Sequence, residues 1–307
     1  SFNFFARNEY SNSKYFEEDL LNLGYSAKKL SLYACGDDRS KSKGPMVSEI
    51  ADDLDLQIAT LTYEPYVLFL DGEYWGVYWL TDRFDSIYVQ ENYGVDKDDV
   101  VIVKRGEIEE GNEDDLALYE DLLSFFEDND MSDPDNYEQA KQLVDMQSLI
   151  DYYALEIYIA NVDWPFNNYE LWRTRTTNGG GYADGRWRWM LYDLDGIGVM
   201  DQWMAEQVSF SDVRGKDILF DSLSENAEFR EAFCTKLREL GNGRFSSEQI
   251  NPVIDRYIDM MYLPVEKESE RFVRSNEEDA AWVQGEYMKE FFKRRYSFIE
   301  DQIEGYL

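Results

Sequence analysis

The sequence predicts an α+β fold in two lobes, the first rich in strands and the second mostly helical. Short alternating or continuous apolar runs dominate up to Leu80, whereas apolar residues recur at helical spacing after Gly94. Hydrophobic residues make up 44% of the 307 positions and aromatic residues 16%, enough for a large core. With only 6 prolines and no Gly/Ser-rich linker, we expect one domain over 1–307, with an N-terminal lobe of about 1–95 and a C-terminal lobe of about 96–307.

The clearest local signal in the first lobe is a β-hairpin. The runs Tyr66–Leu70 and Tyr74–Leu80 flank Asp71-Gly72, and Asp-Gly between two β-type runs is a strong hairpin signal. A helix is predicted over Pro45–Leu54, because its apolar residues have helical spacing and proline suits the first turn.

The second lobe is predicted to centre on one buried helix. Met146 to about Ala160 is apolar on nearly all sides, which is typical of a helix enclosed by others. Two strands, Tyr169–Thr174 and Arg186–Tyr192, flank a glycine-rich loop. Further helices are predicted at Asn112–Asp128, from Asp133-Pro134 to Val144, and near 226–240, 247–262 and 282–304.

Composition excludes several classes of function. The net charge of −34 would repel nucleic acids and anionic membranes. The sequence contains no run of 18 apolar residues, the length needed to span a bilayer. The acid excess is explained by solvation, with cation binding or a basic protein partner as alternatives. There is no histidine, which excludes Ser-His-Asp, Cys-His and HExxH chemistry. Cys35 and Cys234 could form one disulfide or none.

The segment NVDWPFNNYELW, 161–172, is the first candidate for chemistry. It follows the predicted buried helix and leads into a strand, and Asp163 and Asn168 are five positions apart. The catalytic loop of protein kinases has the same Asp-to-Asn spacing. One short loop can then aim a carboxylate at an attacking hydroxyl and an amide oxygen at Mg²⁺.

The segment RWRWMLYDLDGIG, 186–198, is the second candidate. A hydrophobic strand ends in Asp193 and Asp195, followed by Gly196 and Gly198. Kinases present a Mg²⁺-binding Asp in this way, and Mg²⁺ needs few protein ligands because it also binds phosphate oxygens and water. The glycine-rich loop at 176–185 accounts for the long separation from Asp163.

Structural interpretations of these residues stay open. Asp163 could cap a helix or turn, Asn168 could form an Asx turn, and DLDG could be a plain turn. The aromatic cluster Tyr74, Trp75, Tyr78 and Trp79 is interpreted as packing, with adenine or carbohydrate contact as alternatives. The segment of Glu107, Glu109 and Glu110 is interpreted as an acidic turn, solvated or holding Ca²⁺.

Together, the segments LDGEYWGVYWLTDRF, VIVKRGEIEEG, VDWPFNNYELW and RWRWMLYDLDGIG resemble the spore-coat protein H (CotH) kinase family, over roughly 1–198. The resemblance implies an atypical protein-kinase-like fold, binding of ATP and Mg²⁺ (with Mn²⁺ or Ca²⁺ as alternatives), and phosphorylation of protein serine. It implies Asp163 as the catalytic residue, and Asn168 with Asp193 or Asp195 as metal ligands. It also implies a secreted or cell-surface protein with a protein substrate, in a larger extracellular assembly.

Some positions depart from the pattern expected of that family. Tyr33 stands near an expected Arg, and Lys43-Gly44 near an expected Arg-Asp pair. A kinase also uses a strand Lys paired with a helix Glu. We expect Lys104, which ends the strand-like run VVIVK, and Glu49 to contact the nucleotide together with Asn168. Lys28, Lys29 and Lys43 compete with Lys104 for the basic role.

Three functions follow from these residues. The first is a Mg²⁺-dependent protein serine kinase. The second is a catalytically inactive pseudokinase that serves as a scaffold, an alternative that the departures at Tyr33 and Lys43 favour. The third is a glycoside hydrolase, since two carboxylates can cleave a glycosidic bond without histidine. That scheme gives Asn168 no role.

Overall fold

The computed structural model describes residues 1–10, 12–196, 202–272 and 280–307. Two four-stranded antiparallel sheets are followed by a helical C-terminal region, which confirms the predicted α+β class and is consistent with two lobes. Within these ranges no helix is both long enough and apolar enough to cross a membrane.

The first sheet contains the predicted hairpin. Its strands are β1 (Phe2–Phe5), β2 (Lys29–Tyr33), β3 (Tyr63–Leu70) and β4 (Glu73–Thr81), in the order β1-β2-β4-β3. Asp71 and Gly72 join β3 to β4 with φ of 51° and 83°, the left-handed conformation that this tight turn requires. Helix α1 (Lys43–Asp53) begins two residues before the predicted start at Pro45.

The second sheet consists of β5 (Val100–Lys104), β6 (Glu107–Glu110), β7 (Glu170–Thr174) and β8 (Arg188–Met190), in the order β6-β5-β7-β8. The prediction of an acidic turn at Glu107–Glu110 was wrong, because this segment is strand β6. Two of its carboxylates pair with basic groups distant in sequence: Glu110 lies 2.6 Å from Lys29 Nζ, and Glu109 lies 3.6 Å from Arg83.

Helix α5 (Met146–Tyr158) lies at the centre of the helical region, as predicted, and every residue from Ser148 to Tyr158 is buried. The other helices are α2 (Ser86–Tyr93), α3 (Leu116–Asp128), α4 (Pro134–Leu143), α6 (Phe210–Val213), α7 (Ile218–Leu223), α8 (Ala227–Asn242), α9 (Ser247–Phe272) and α10 (Ala281–Tyr306).

Helix α9 continues ten residues beyond its predicted end near 262 and passes through Pro264. Its last turns pack on the first sheet, which explains the extension. Tyr74 Oη donates to the carbonyl of Pro264 at 3.0 Å, and Val77 N donates to Glu268 Oε2 at 3.2 Å. Glu268 is buried and also pairs with Lys41 Nζ at 3.0 Å, so α9 fixes the hairpin to the helical region.

A buried arginine fixes the end of α5. Arg295 of α10 is fully buried, and burial lowers the pKa of its guanidinium to about 9. Its nitrogens donate to the carbonyls of Ile157, Tyr158, Ala205, Gln207 and Val208.

Cys35 and Cys234 are both buried and form no disulfide.

Candidate active site

The loop after α5 is anchored to that helix by a buried carboxyl group. Glu156 Oε2 accepts a hydrogen bond from Asn161 Nδ2 at 2.8 Å, and Asn161 Oδ1 accepts one from Asp163 N at 3.3 Å. Burial raises the pKa of the Glu156 carboxyl to about 8. Asn167 N then donates to the Asp163 carbonyl at 2.9 Å, closing a tight turn that leaves the Asp163 side chain exposed.

The loop and the segment Asp193–Gly196 are joined at two points. Asn168 Nδ2 donates to the Asp193 carbonyl at 2.9 Å, and Val162 N donates to the Gly196 carbonyl at 3.3 Å. Asn168 and Asp193 have φ of 59° and 55°, left-handed values that Asn and Asp tolerate best among residues with side chains. The contacts across the two segments maintain this strained geometry.

Asp163 packs directly against Gly196. A Cβ atom at this glycine would lie 2.6 Å from Asp163 Oδ2, so any larger residue would displace the carboxylate. The sequence-predicted residues Asp163, Asn168, Asp193 and Asp195 therefore lie in two adjoining segments, although 30 positions separate the first from the third.

The first sheet contributes Tyr33 to this site. Tyr33 Oη donates to Asp193 Oδ1 at 2.8 Å, joining strand β2 to the carboxylate. The sequence analysis noted Tyr33 as a departure from the family pattern and gave it no role.

Asp195 is the more buried of the two acidic residues, with 7% of its surface exposed. Asp37 N lies 3.4 Å from Oδ2, whereas Oδ1 accepts no hydrogen bond from the described residues. Burial raises the pKa of Asp195 to about 6, and the nearby carboxylates of Asp38 and Asp193 contribute further. A buried carboxylate oxygen without a partner is costly unless a cation or donor satisfies it.

A buried lysine lies close to the same carboxylates. Lys43 is fully buried at the start of α1, and burial lowers the pKa of its ammonium group against the opposing effect of Asp38 and Asp195. Asp38 Oδ2 accepts hydrogen bonds from the backbone nitrogens of Ser42 and Lys43, at 2.7 and 2.8 Å. The start of α1 is thus packed against the acidic segment, and a Cβ atom at Gly44 would lie 3.8 Å from Leu194 Cβ.

A cavity of about 360 Å³ opens where the two sheets meet, and Asn168 and Asp193 form part of its wall. The wall also includes Leu61, Tyr63, Asp82, Arg83, Phe84, Lys104, Arg105, Glu170 and Tyr192. Three of these residues are basic, and they face three acidic wall residues, Asp82, Glu170 and Asp193. Asp82 is buried, and burial raises its pKa to about 7.

The structure places Lys104 in the cavity wall. Its Nζ lies 2.9 Å from Glu170 Oε2 and 3.6 Å from the centre of the Tyr192 ring. Arg105 is exposed beside it and makes no ion pair with a described residue. Arg83, Arg105 and Tyr192 were not predicted as site residues, although Arg105 adjoins Lys104 and Tyr192 adjoins Asp193 in the sequence.

Glu49 is not brought into this cavity. It lies on α1, pairs with Arg256, and accepts a hydrogen bond from Tyr257 Oη at 2.8 Å. The lysine of the cavity is instead paired with Glu170. The expected contact between Lys104 and Glu49 is therefore absent from the described residues.

The oxygen atoms at the junction of the two segments are suitable ligands for a hard cation that also binds phosphate. Carboxylates of Asp193 and Asp195 and an amide oxygen of Asn168 are oxygen ligands of the kind Mg²⁺ takes, and Asp195 Oδ1 is buried without a partner. Across the described ranges, no three acidic or cysteine side chains form a ready-made metal cluster. Mg²⁺ in kinases completes its coordination with phosphate oxygens and water.

The arrangement expected of a kinase-like protein is two strand-containing sheets, a helical C-terminal region, and a loop that carries Asp163 and Asn168 beside an acidic segment, and the structure contains each of these features. The family model described as CotH kinase protein matches residues 1–299 of the chain. The chain therefore belongs to the CotH kinase family, as the sequence predicted. No curated protein matches it.

Proposed function

We propose that this protein is a Mg²⁺-dependent protein serine kinase, which transfers the γ-phosphoryl group of ATP to a serine hydroxyl. The observation that carries the proposal is the joining of the Asp163–Asn168 loop to the Asp193–Gly196 segment at the edge of a cavity that Lys104 and Arg105 also line. Family membership supports a kinase-like function with a nucleotide and a divalent metal.

The cavity is the proposed nucleotide site. Its volume of about 360 Å³ is at the lower end of the range for small-molecule sites. Lys104 and Arg105 would contact phosphate oxygens, and Arg83 would add positive charge. We leave Glu49 out of the site, because Arg256 and Tyr257 already hold its carboxylate.

Asp193, Asp195 and the amide oxygen of Asn168 would hold Mg²⁺, or Mn²⁺ in its place. When bound, the metal neutralises phosphate charge and so favours attack by an oxygen nucleophile. Tyr33 keeps Asp193 in place through its 2.8 Å hydrogen bond, and Asn168 fixes the backbone of the same residue.

Asp163 would orient the acceptor and take up its proton. The serine oxygen forms a bond to the γ-phosphorus, the bond from that phosphorus to the β–γ bridging oxygen breaks, and ADP leaves with the electron pair. The serine proton passes to an Asp163 carboxylate oxygen. Asp163 is exposed, so an acceptor can reach it, and Gly196 leaves the space that its carboxylate occupies.

A catalytically inactive scaffold is the second candidate, and the position of Glu49 favours it. Kinases that pair a strand Lys with a helix Glu use this pair to set the phosphates for transfer. Here α1 offers no such carboxylate to Lys104. For either function we propose a secreted or cell-surface location, with a protein partner, because the family is associated with the spore coat.

The nucleotide site can be tested by thermal-shift titration with ATP and Mg²⁺ or Mn²⁺. A ligand that binds only the folded state raises the unfolding temperature by mass action. We expect a metal-dependent rise in the wild type and its loss in the double variant Asp193→Asn/Asp195→Asn. The double variant Asp259→Asn/Asp301→Asn removes the same charge from exposed helix positions and serves as the control.

A rise that persists in the Asp193/Asp195 variant would contradict the assigned metal ligands. No rise in the wild type at millimolar nucleotide would contradict nucleotide binding. A normal rise without transfer of labelled phosphate to any protein acceptor would favour the scaffold.

A further inference from the structure

A second cavity lies on the opposite side of the Asp163–Asn168 loop from the first. Its volume is about 330 Å³, and Trp164, Pro165 and Phe166, the three residues after Asp163, form part of its wall. The loop and the start of β7 separate the two cavities, since Asn168 and Glu170 line the first whereas Tyr169 and Leu171 line the second. The second cavity is therefore adjacent to the proposed catalytic residue and separate from the proposed nucleotide site.

Aromatic rings form the wall of this second cavity. Tyr153 meets Trp164 edge-to-face with ring centres 5.0 Å apart, and Trp189 packs against Tyr153 at 6.0 Å. At the entrance, Phe166 and Ile218 are 61% and 36% exposed. These two side chains therefore add apolar surface at the mouth of a cavity that is itself lined by rings.

The carboxylate of the cavity is already engaged, because Asp217 Oδ1 accepts hydrogen bonds from Tyr153 Oη at 3.0 Å and from Phe220 N at 2.8 Å. The Lys216 ammonium lies at the exposed rim, 5.5 Å from the centre of the Phe166 ring. What the interior of the cavity offers to a ligand is therefore ring surface, which is complementary to an apolar side chain.

The entrance of the second cavity is close enough to Asp163 to bind the side chain of a residue next to the acceptor serine. The hydrogen bond from Asn167 N to the Asp163 carbonyl keeps Phe166 within one turn of the carboxylate. An extended peptide advances about 3.3–3.6 Å per residue, so an acceptor serine at Asp163 would place the side chain one or two positions away at the cavity entrance.

We propose that this cavity is an acceptor subsite that takes a large apolar or aromatic side chain one or two residues from the phosphorylated serine. The inference rests on the proposed kinase function, since it specifies the substrate of the same site. Burial of such a side chain contributes about 1.5–3 kcal/mol, equivalent to a preference of about tenfold to a hundredfold over alanine.

The test uses binding, so that it does not depend on turnover. The probes are acetyl-Gly-Ser-Xaa-Gly-amide, acetyl-Gly-Xaa-Ser-Gly-amide, acetyl-Gly-Ser-Gly-Xaa-Gly-amide and acetyl-Gly-Xaa-Gly-Ser-Gly-amide, where Xaa is 4-fluorophenylalanine. Fluorine NMR line widths report binding to the whole chain. The same peptides with alanine at Xaa serve as unlabelled competitors. We expect saturable broadening for at least one fluorinated peptide and no displacement by its alanine counterpart.

Two cavity variants and one matched control complete the design. Phe166→Ala removes an exposed ring at the entrance, and Leu123→Trp fills the cavity from α3. Each should weaken peptide binding at least about tenfold. Leu263→Ala removes a side chain that is 60% exposed on α9, and should bind the peptide as the wild type does. The unfolding temperature of each variant verifies folding.

The results separate the subsite from the kinase function. No broadening with the wild type, or broadening that survives both cavity variants, would overturn the subsite. ATP-dependent thermal shifts are measured on the same samples. Peptide binding without a nucleotide shift would contradict the kinase function, and the cavity would then be a peptide-binding site without a role as an acceptor subsite. A nucleotide shift without peptide binding would overturn the subsite alone.

Discussion

Replacement of Glu156 by glutamine tests how the loop carrying Asp163 is anchored. The Glu156 carboxyl is fully buried, holds Asn161 at 2.8 Å, and has its pKa raised to about 8 by burial. In the unfolded chain the same group has an ordinary pKa, near 4.5. The folded state therefore binds a proton that the unfolded state releases over the intervening pH range.

The sign and size of the effect follow from this difference. Because the folded-state pKa is the higher one, the stabilisation is fully present below pH 4.5 and is lost as the pH rises through about 8. The whole difference corresponds to about 5 kcal/mol, of which about 3 kcal/mol falls between pH 5 and pH 8. For a chain of this length, that loss lowers the unfolding temperature by about 5 °C.

The assay is thermal or urea unfolding of the wild type and of Glu156→Gln between pH 5 and pH 8. Glutamine does not ionise in this range, so the variant should lack this loss of stability. Its free energy of unfolding should therefore rise relative to that of the wild type as the pH increases. Glu248→Gln, at an exposed position of α9, should follow the wild type. Parallel pH profiles for wild type and Glu156→Gln would refute the reasoning.

Three further substitutions probe the core and the site. Arg295→Met removes donors to several buried carbonyls and should cost at least about 3 kcal/mol in unfolding experiments. The half-buried neighbour Arg294, which pairs with Glu206 at 2.9 Å, should cost about 1 kcal/mol or less when replaced by Met; similar losses would contradict the role of Arg295. Tyr33→Phe removes the hydrogen bond to an Asp193 carboxylate oxygen, so about tenfold more Mg²⁺ should be needed for half of the ATP-dependent thermal shift; an unchanged midpoint would argue against positioning by Tyr33. Gly196→Ala places a methyl group against the Asp163 carboxylate, the proposed catalytic group, and should lower kcat at least about tenfold with a small change in unfolding temperature; full turnover would contradict the proposed geometry.

Local sequence patterns predicted the elements whose cause is local. The Asp71-Gly72 turn fixed the hairpin, and the nearly continuous apolar run of α5 identified the central helix. The relative positions of three site residues could be predicted because each one adjoins a predicted element. Asp163 follows the buried helix, Asn168 precedes one strand and Asp193 follows the next.

Elements stabilised by distant contacts were missed or misjudged. The EIEE segment forms β6 because Lys29 and Arg83 neutralise its glutamates. Helix α9 passes through Pro264, although proline normally ends a helix, because its final turns bind the hairpin. The partner of Glu49, Arg256, lies 207 positions away, which no local pattern can indicate.

In the site, as in the fold, contacts between residues distant in sequence could not be predicted. In the sequence, Tyr33 appeared only as a departure from a family pattern, whereas Lys43 appeared both as a departure and as a competitor of Lys104 for the basic role. The structure brings both to the acidic segment, Tyr33 by a hydrogen bond to Asp193 and Lys43 by its proximity to Asp195. Gly198, which the sequence analysis included in the second segment, lies outside the described residues.

The most direct test of the central claim is anomalous scattering from crystals grown with Mn²⁺ and a non-hydrolysable ATP analogue. The account predicts a Mn²⁺ peak coordinated by Asp193 or Asp195 together with Asn168, with the analogue's phosphates extending toward Lys104 and Arg105. A Mn²⁺–nucleotide pair bound elsewhere on the chain, with no metal at these residues, would contradict the account.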